Sequence, residues 1–335
     1  MVGFLSRRFV ALIPTLLGMA LLLYLISSIL PVDPARAALG EEATMEQVEA
    51  YRQQLGLDKP VWVQFSRYAW NLLHGDLGNS IVSRRPVVED LKDKFAATLE
   101  LAIASIVISS LIAIPLGIAS AVNRNSITDH ISRFVSLFSV SMPIFWLAMM
   151  MQLLFYARLG WLPYGSRLDP QMAAPPQVTG FYTIDSLIAR DLGAFLDTLK
   201  HLILPALALS NISSGTLARI TRSSMLDVLT EPYIVTARAK GLSERSIIYF
   251  HALKNAAIPI VTLGGMQFGS LIGGAVLTET IFAWPGVGRY AAYSIFWLDL
   301  PAVMGFALLA TLLYALVNLG VDVLYGWLDP RIRSW

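Results

Sequence analysis

Six charge-free apolar runs divide the chain: Phe9–Leu30, Leu101–Val122, Phe134–Ala157, Leu202–Ala218, Ala256–Thr278 and Leu300–Val321. Each holds about 17 to 24 residues, which is what a helix needs to cross hydrocarbon. A helix is required there because backbone N–H and C=O groups cannot stay unpaired in lipid. The pattern therefore predicts an all-α membrane protein with six transmembrane helices. Pro115 and Pro143 each remove a helix hydrogen bond and should bend the second and third spans.

The polar intervals complete the expected organisation. Residues 1–31 form the first span, with Arg7 and Arg8 ahead of it. Ala35 and Ala37 mimic a secretory cleavage site, but the run of about 22 apolar residues is long for a signal core and favours an uncleaved span. Residues 32–95 make a polar region where Leu55, Leu57, Val61, Phe65, Tyr68 and Leu72 are spaced as in short amphipathic helices on a membrane face. Trp62 and Trp70 suit an interface, and Gly75 and Gly78 mark turns. Residues 96–335 form a five-helix core. It includes a proline-rich insert, 158–200, which reads as a mostly irregular loop, and a basic segment, 222–255.

Composition agrees with this reading. The 335 residues are 56% hydrophobic and 14% charged, far from a soluble domain's balance. With six spans both termini lie on one side. If that side is the cytoplasm, the inside segments hold about 12 basic and 5 acidic residues, as the positive-inside rule asks. The chain has no cysteine, so no disulfide or thiolate metal site is expected. There is no GxxxxGK[ST] phosphate loop and no HExxH or other paired metal spacing. His74 beside Asp76 is a lone pair in a turn and reads as structural. No catalytic residue, metal or nucleic-acid partner is expected.

Within the spans, Gly265, Gly269 and Gly273 recur at intervals of four and share one helix face. That face suits close packing, either within the chain or against another subunit. Asn211, Ser213, Ser214, Thr216 and Gln267 are uncharged polar groups at membrane depth; Asn211, Ser214 and Gln267 are the candidates for lining a polar path. Glu279 is expected at a membrane edge and Trp284 at the interface, before a reversal at Pro285 and Gly286.

The most informative polar stretch is Tyr233–Pro259, read as two short helices with a break. Thr230 can cap the first, Pro232 suits a first turn and Gly241 supplies a reversal. Ser243 can cap the second, with Glu244 in its first turn. Arg238, Lys240, Arg245 and Lys254 keep the segment in water or against a partner, while Ala237, Ala239 and Gly241 keep one surface small. On physics alone, a docking element and a solvated loop fit equally well.

The strings TARAKGL and HALKNAAIP in this stretch resemble the EAA loop of peptide-type ABC importer permeases. Gly241 falls on that family's glycine and Ala237 on the second alanine of the triplet; Val235 stands where the triplet's acid would be. The span from GLDKP to GDLG (56–78), TETIFAWPGVGR (278–289) and the tail LVNLGVDVLYGWLDPRIR (316–333) resemble the same family, closest to the first subunit of a dipeptide or oligopeptide permease pair. The resemblance implies a type I ABC importer permease fold and a coupling helix at Thr236, Ala237, Arg238, Ala239, Lys240, Gly241 and Leu242. It places Glu279, Trp284, Pro285 and Gly286 near an outer gate. It implies partners: a second permease in a heterodimer, two ATP-binding subunits and a periplasmic peptide-binding protein, at a bacterial inner membrane. ATP and Mg would bind the ATPase subunits, with no cofactor on this chain. The same subfamily also moves nickel complexes, glutathione and haem. An ion-coupled secondary transporter would be expected to carry carboxylates near mid-membrane, whereas Glu100, Glu279 and Asp322 all lie near span ends.

Overall fold

The computed structural model describes residues 2–29, 34–39 and 43–328. The last part of the tail motif, 329–333, lies outside them, as does Met1. The first expected span is a helix, α1 (Val2–Ile29). It is followed by short helices α2 (Pro34–Leu39), α3 (Met45–Leu55) and α4 (Val61–Leu73). Thr44 and Gln47 form a reciprocal capping box that starts α3, and Gly56 at φ 72° ends it. α4 buries none of its residues within the chain and leaves Trp62 and Trp70 exposed. It leans on α1, where Tyr24 donates to Gln64 Oε1 at 2.7 Å and packs against Phe65 and Tyr68.

The core spans are longer than their apolar runs. α5 (Val87–Val122) begins well inside the stretch expected to be a surface region, and passes Pro115 without a break. α9 (Leu192–Leu229) takes in the end of the 158–200 insert and the start of the 222–255 segment. Asp191 caps it by accepting from Ala194 N. The rest of the insert is less irregular than expected, since it carries α8 (Tyr182–Ile188). The sequence hid these extensions because charged residues tolerate helix readily; charge-free length marks the lipid-facing portion only.

The third span departs most from expectation. α6 (Ile127–Ser141) starts at the Ser126 cap, inside what reads as a loop. α7 (Ile144–Met151), continued by a π-helical stretch at Gln152–Arg158, leaves it at 102°. Pro143 causes more than a bend. It excludes the α conformation from Met142, so Met142 (ψ 125°) and Pro143 (ψ 131°) are both extended and the helix is severed. Among the described residues, five helices are long and apolar enough to cross a membrane, or six if the broken pair counts as one span.

The remaining elements are α10 (Pro232–Ala239), the single turn α11 (Glu244–Ser246) with a π-helical stretch at Ile247–Ala252, α12 (Leu253–Ile281), α13 (Val287–Phe296) and α14 (Leu300–Leu328). Pro259 lies inside α12 and does not end the basic segment. The short helix α13 was not anticipated. α5 packs along α9, and α12 packs against both α9 and α14. The glycines of α12 serve the last of these contacts. A Cβ on Gly265 would sit 2.0 Å from Val321 Cγ2, and one on Gly269 2.9 Å from the Tyr314 ring. Gly273 meets nothing within 4 Å. Two of the three glycines are thus explained by packing within the chain.

Candidate functional site

The basic segment forms a bracket at one end of the bundle. Thr230 ends α9 instead of capping α10; its hydroxyl donates back to Asp227 O. Glu231 occupies the N-cap position without a side-chain bond, and Pro232 fills the first turn. Gly241 (φ 79°) terminates α10: Leu242 N donates to Ala237 O and Gly241 N to Arg238 O, the paired bonds of a Schellman motif. Ser243 accepts from Ser246 N and starts the next turn. Across the reversal Arg238 grips Glu244 with two bonds, of 2.7 and 3.3 Å. The Arg238 hydrogen bond holds the Glu244 carboxyl below its ordinary value.

This bracket has two faces. Ile234 and Ala237 are buried, packing with Ile247, Ala252 and Ala256 against Ile118 and Ala121 of α5 and Leu217 and Met225 of α9. Thr236, Arg238, Ala239, Lys240, Gly241 and Leu242 are exposed, with Tyr233 and Val235 beside them. Ala237 therefore belongs to the anchor, and the small exposed surface is Ala239 and Gly241. Asp129 holds the same end together. It is fully buried, and Arg222 of α9 donates to its two oxygens at 2.7 and 2.8 Å. Ser120 of α5 and Asn125 N add two further bonds. One carboxylate thus ties α5, α6 and α9. A periodicity could have revealed it: Asp129, Ser132, Ser136 and Ser139 all face inward on α6, while Ile131, Phe134, Leu137 and Phe138 face out.

That serine face meets α9 across small residues. A Cβ on Gly215 would lie 2.6 Å from Ser136 O. Beside this contact is a cavity of about 340 Å³ lined by Ser136, Ser139, Ser210, Asn211 and Ser214 among apolar side chains, with no ionisable group. Asn211 has a further task. Pro143 offers no N–H to the carbonyl four residues back, and Asn211 Nδ2 supplies the missing donor to Ser139 O at 2.8 Å. Ser214 bonds Ser210 O within its own helix. Gln267 does not line this cavity; its Oε1 is shut from solvent and has no hydrogen-bond partner.

The opposite end is organised by Glu279. Glu279, near the end of α12, and Trp284 just after it are both fully buried within the chain. Thr98 of α5 donates to Glu279 Oε1 at 2.6 Å, and Arg289 N to Oε2 at 2.9 Å. The carboxylate thereby sits at the N-terminus of α13, where the helix dipole favours an anion. Thr98 also accepts from Val287 N, and the Trp284 indole donates to Ala97 O. Gly286 and Gly288 leave room for the carboxylate: a Cβ on Gly286 would fall 2.3 Å from Glu279 Oε1. Of the four residues placed near an outer gate, only Pro285 is exposed. Nearby, Arg167 bonds Glu100 Oε2 at 2.5 Å and lies 3.8 Å from the centre of the Tyr182 ring, pinning the insert to α5. Thr98, Arg167 and Asp129 carry no sequence motif of their own and were missed for that reason.

A bundle of long apolar helices thus carries a bracket that is anchored on one face and exposed on the other. Its fold is that of a type I ABC importer permease. The solved structure titled "Inward facing conformations of the MetNI methionine ABC transporter: CY5 native crystal form" covers 70% of this chain and 93% of its own, with a TM-score of 0.50 at 15% identity, a likeness of fold alone. The profile of the family described as "Binding-protein-dependent transport system inner membrane component" matches residues 113–334, and that of its N-terminal region matches 1–102. The chain belongs to this family. It is 49% identical to the probable D,D-dipeptide transport system permease protein DdpB of Escherichia coli K12, over 98% of this chain and 96% of that one. It is 43% identical to the dipeptide transport system permease protein DppB of Alkalihalophilus pseudofirmus, over 99% and 100%. It is a multi-pass inner-membrane permease subunit.

Proposed function

We propose that this chain forms half of the transmembrane path of an ATP-driven importer of dipeptides or short oligopeptides. Its partners are a second permease subunit, two ATP-binding subunits and a periplasmic peptide-binding protein. ATP and Mg would act on the ATP-binding subunits. The termini and the α10 bracket face the cytoplasm, and the α13 end faces the periplasm. The observation that carries the reading is the two-faced bracket. Ile234 and Ala237 lock α10 into the core shared by α5, α9 and α12, while Thr236, Arg238, Ala239, Lys240 and Leu242 are exposed on the other face. Force on the exposed face must reach the spans, because packed cores shift as units rather than deform. ATP supplies the bias by binding one state of the assembly better than the other. The names of the relatives supply the cargo class. The neutral, hydroxyl-lined cavity beside α9 suits a path that must release what it passes.

An ion-coupled transporter fits less well. Glu100 and Asp129 are each held by an arginine, and Glu279 is held by Thr98 and a backbone N–H. Gly241→Asp tests the proposal. The site has open space, and Asp tolerates positive φ better than most residues, so the fold should persist. Uptake and recovery of the ATP-binding subunits on affinity purification should both fall. Unchanged uptake and recovery would refute docking here. A cysteine at exposed position 240 should label only from the cytoplasm and one at exposed Asn79, next to the buried Ser80, only from the periplasm.

A further inference from the structure

A groove of about 520 Å³ lies between α1, the end of α4, the start of α5 and the first half of α14. A Cβ on Gly305 would fall 2.5 Å from Val87 Cγ1, so α14 and α5 touch beside it. Along α5 the lining includes Val88, Lys92 and Phe95, which share one helix face. Along α14 it runs from Gly305 to Leu312, about 10 Å of helix. Among the described residues that line it, Lys92 is the one charged group and the others are apolar. Lys92 is exposed and has no ion pair or hydrogen bond with a described residue. The charges near it are already paired. Arg85 holds Asp93 at 3.0 Å and Glu89 at 3.5 Å, and shares the buried Asp90 with Lys94. Asp76, after α4, accepts from Gly78 N at 2.8 Å. α14 offers no counter-ion, being free of charge from Leu300 to Val321. A lone ammonium on an apolar wall suits an anion carried by an apolar body.

Size decides what that body is. About 520 Å³ over about 10 Å is a cross-section of about 50 Å². A helix with its side chains is about 10 Å wide and needs roughly 80 Å². Acyl chains are narrower. One leaflet's hydrocarbon is about 15 Å deep, so the groove takes about two-thirds of a chain's length. A dipeptide's backbone would find no hydrogen-bond partners on such a wall. α4, whose Leu72 and Leu73 line the groove, also carries exposed Trp62 and Trp70, residue types that favour the headgroup level.

We propose that this groove holds a resident phospholipid, with an acyl chain along α5 and α14 and its phosphate on Lys92. The phosphodiester is negative in every phospholipid, and a lysine meets it as a compact charge on a flexible apolar stem. The lipid completes the packing of α1. Among the described side chains of α1 only Ala20 is buried, so protein contacts alone grip this helix weakly. The proposal needs a bilayer and no cargo, and stands apart from the functional reading above.

The test uses the complete importer in phosphatidylethanolamine nanodiscs doped with a phosphatidylglycerol that carries a diazirine on one acyl chain. Irradiation and peptide mapping read the label at 88–95 and 305–312. The reference is the label on the exposed apolar face of α6, at Phe134 and Leu137. Lys92→Glu should cut the groove label about tenfold relative to α6, and Lys92→Arg should keep it. Wild type adds an arm that needs no variant: irradiated after detergent extraction, the groove keeps its label while α6 loses it. Four results would each overturn the proposal: label lost equally from both places, an assembled Lys92→Glu importer with the wild-type ratio, Lys92→Arg as weak as Lys92→Glu, or no groove label at all. The last would mean that protein fills the groove.

Discussion

Glu279→Ala is the sharpest probe of the buried clasp at the α13 end. The carboxylate accepts Thr98 Oγ1 at 2.6 Å and Arg289 N at 2.9 Å in a site with no solvent access. Hydrogen bonds to a charged acceptor are worth roughly 1.5–3 kcal/mol each, so losing both costs about 3–6 kcal/mol. Alanine also leaves a void, which adds to the loss. Glu279→Gln keeps the volume and one acceptor oxygen but turns an NH₂ toward a donor, for an intermediate loss of about 1–3 kcal/mol. At roughly 2 °C per kcal/mol for a chain of this size, alanine should lower the apparent Tm by about 6–12 °C. The assay is thermal loss of the monodisperse peak of detergent-solubilised protein, with uptake in cells as a parallel readout. Glu279→Ala within about 1–2 °C of wild type, well inside the predicted shift, would refute the claim that this carboxylate organises the loop. A stable Glu279→Gln that cannot transport would move the residue from architecture to gating.

Three other changes have defined outcomes. Asn211→Leu should leave Ser139 O without its donor and cost about 1–3 kcal/mol, seen as faster hydrogen exchange across the 138–146 break; unchanged exchange would mean the proline break needs no support. Gly265→Leu should damage assembly more than Gly269→Leu, because a side chain at 265 would press closer on Val321 than one at 269 on Tyr314. Gly273→Ala should leave the isolated chain unaffected, and thermal stability of all three variants checks the order. Burial pushes the Asp185 carboxyl up, but bonds from Thr179 and Gly180 outweigh it and hold it below the ordinary value. A depressed folded pKa contributes stability above the unfolded value and loses it as pH falls through the folded one. Proteolysis around 176–190 should therefore stay constant through neutral pH and rise only in acid below the carboxylate range; a change near neutrality would contradict this assignment.

The spans, the Gly241 reversal and the Ser243 cap were legible because each is written in local sequence: charge-free length, a glycine after a helix, a serine before one. The α12 glycines were legible as a face, though only the fold shows that Gly265 and Gly269 spend it on α14. What stayed hidden depends on long-range contact. Nothing local marks Glu279 as buried; its partner Thr98 lies 181 residues away in the chain. Pro143 reads as a bend, yet its true effect is a 102° turn made tolerable by an amide on another helix. Ala237 and Ala239 are alike in sequence, and only packing separates the anchor from the exposed face.

The unbroken length of α9 has a mechanical corollary. At 1.5 Å per residue its 38 residues make a rod of about 57 Å, running from the 158–200 insert to the root of the α10 bracket. Rocking such a rod by about 10° around its midpoint would carry each tip about 5 Å in opposite directions. Pro205 leaves one carbonyl of the rod without its usual donor, a natural soft spot about a third of the way down. An event at one surface of the bilayer could then be felt at the other through a single piece of backbone, with no relay between them.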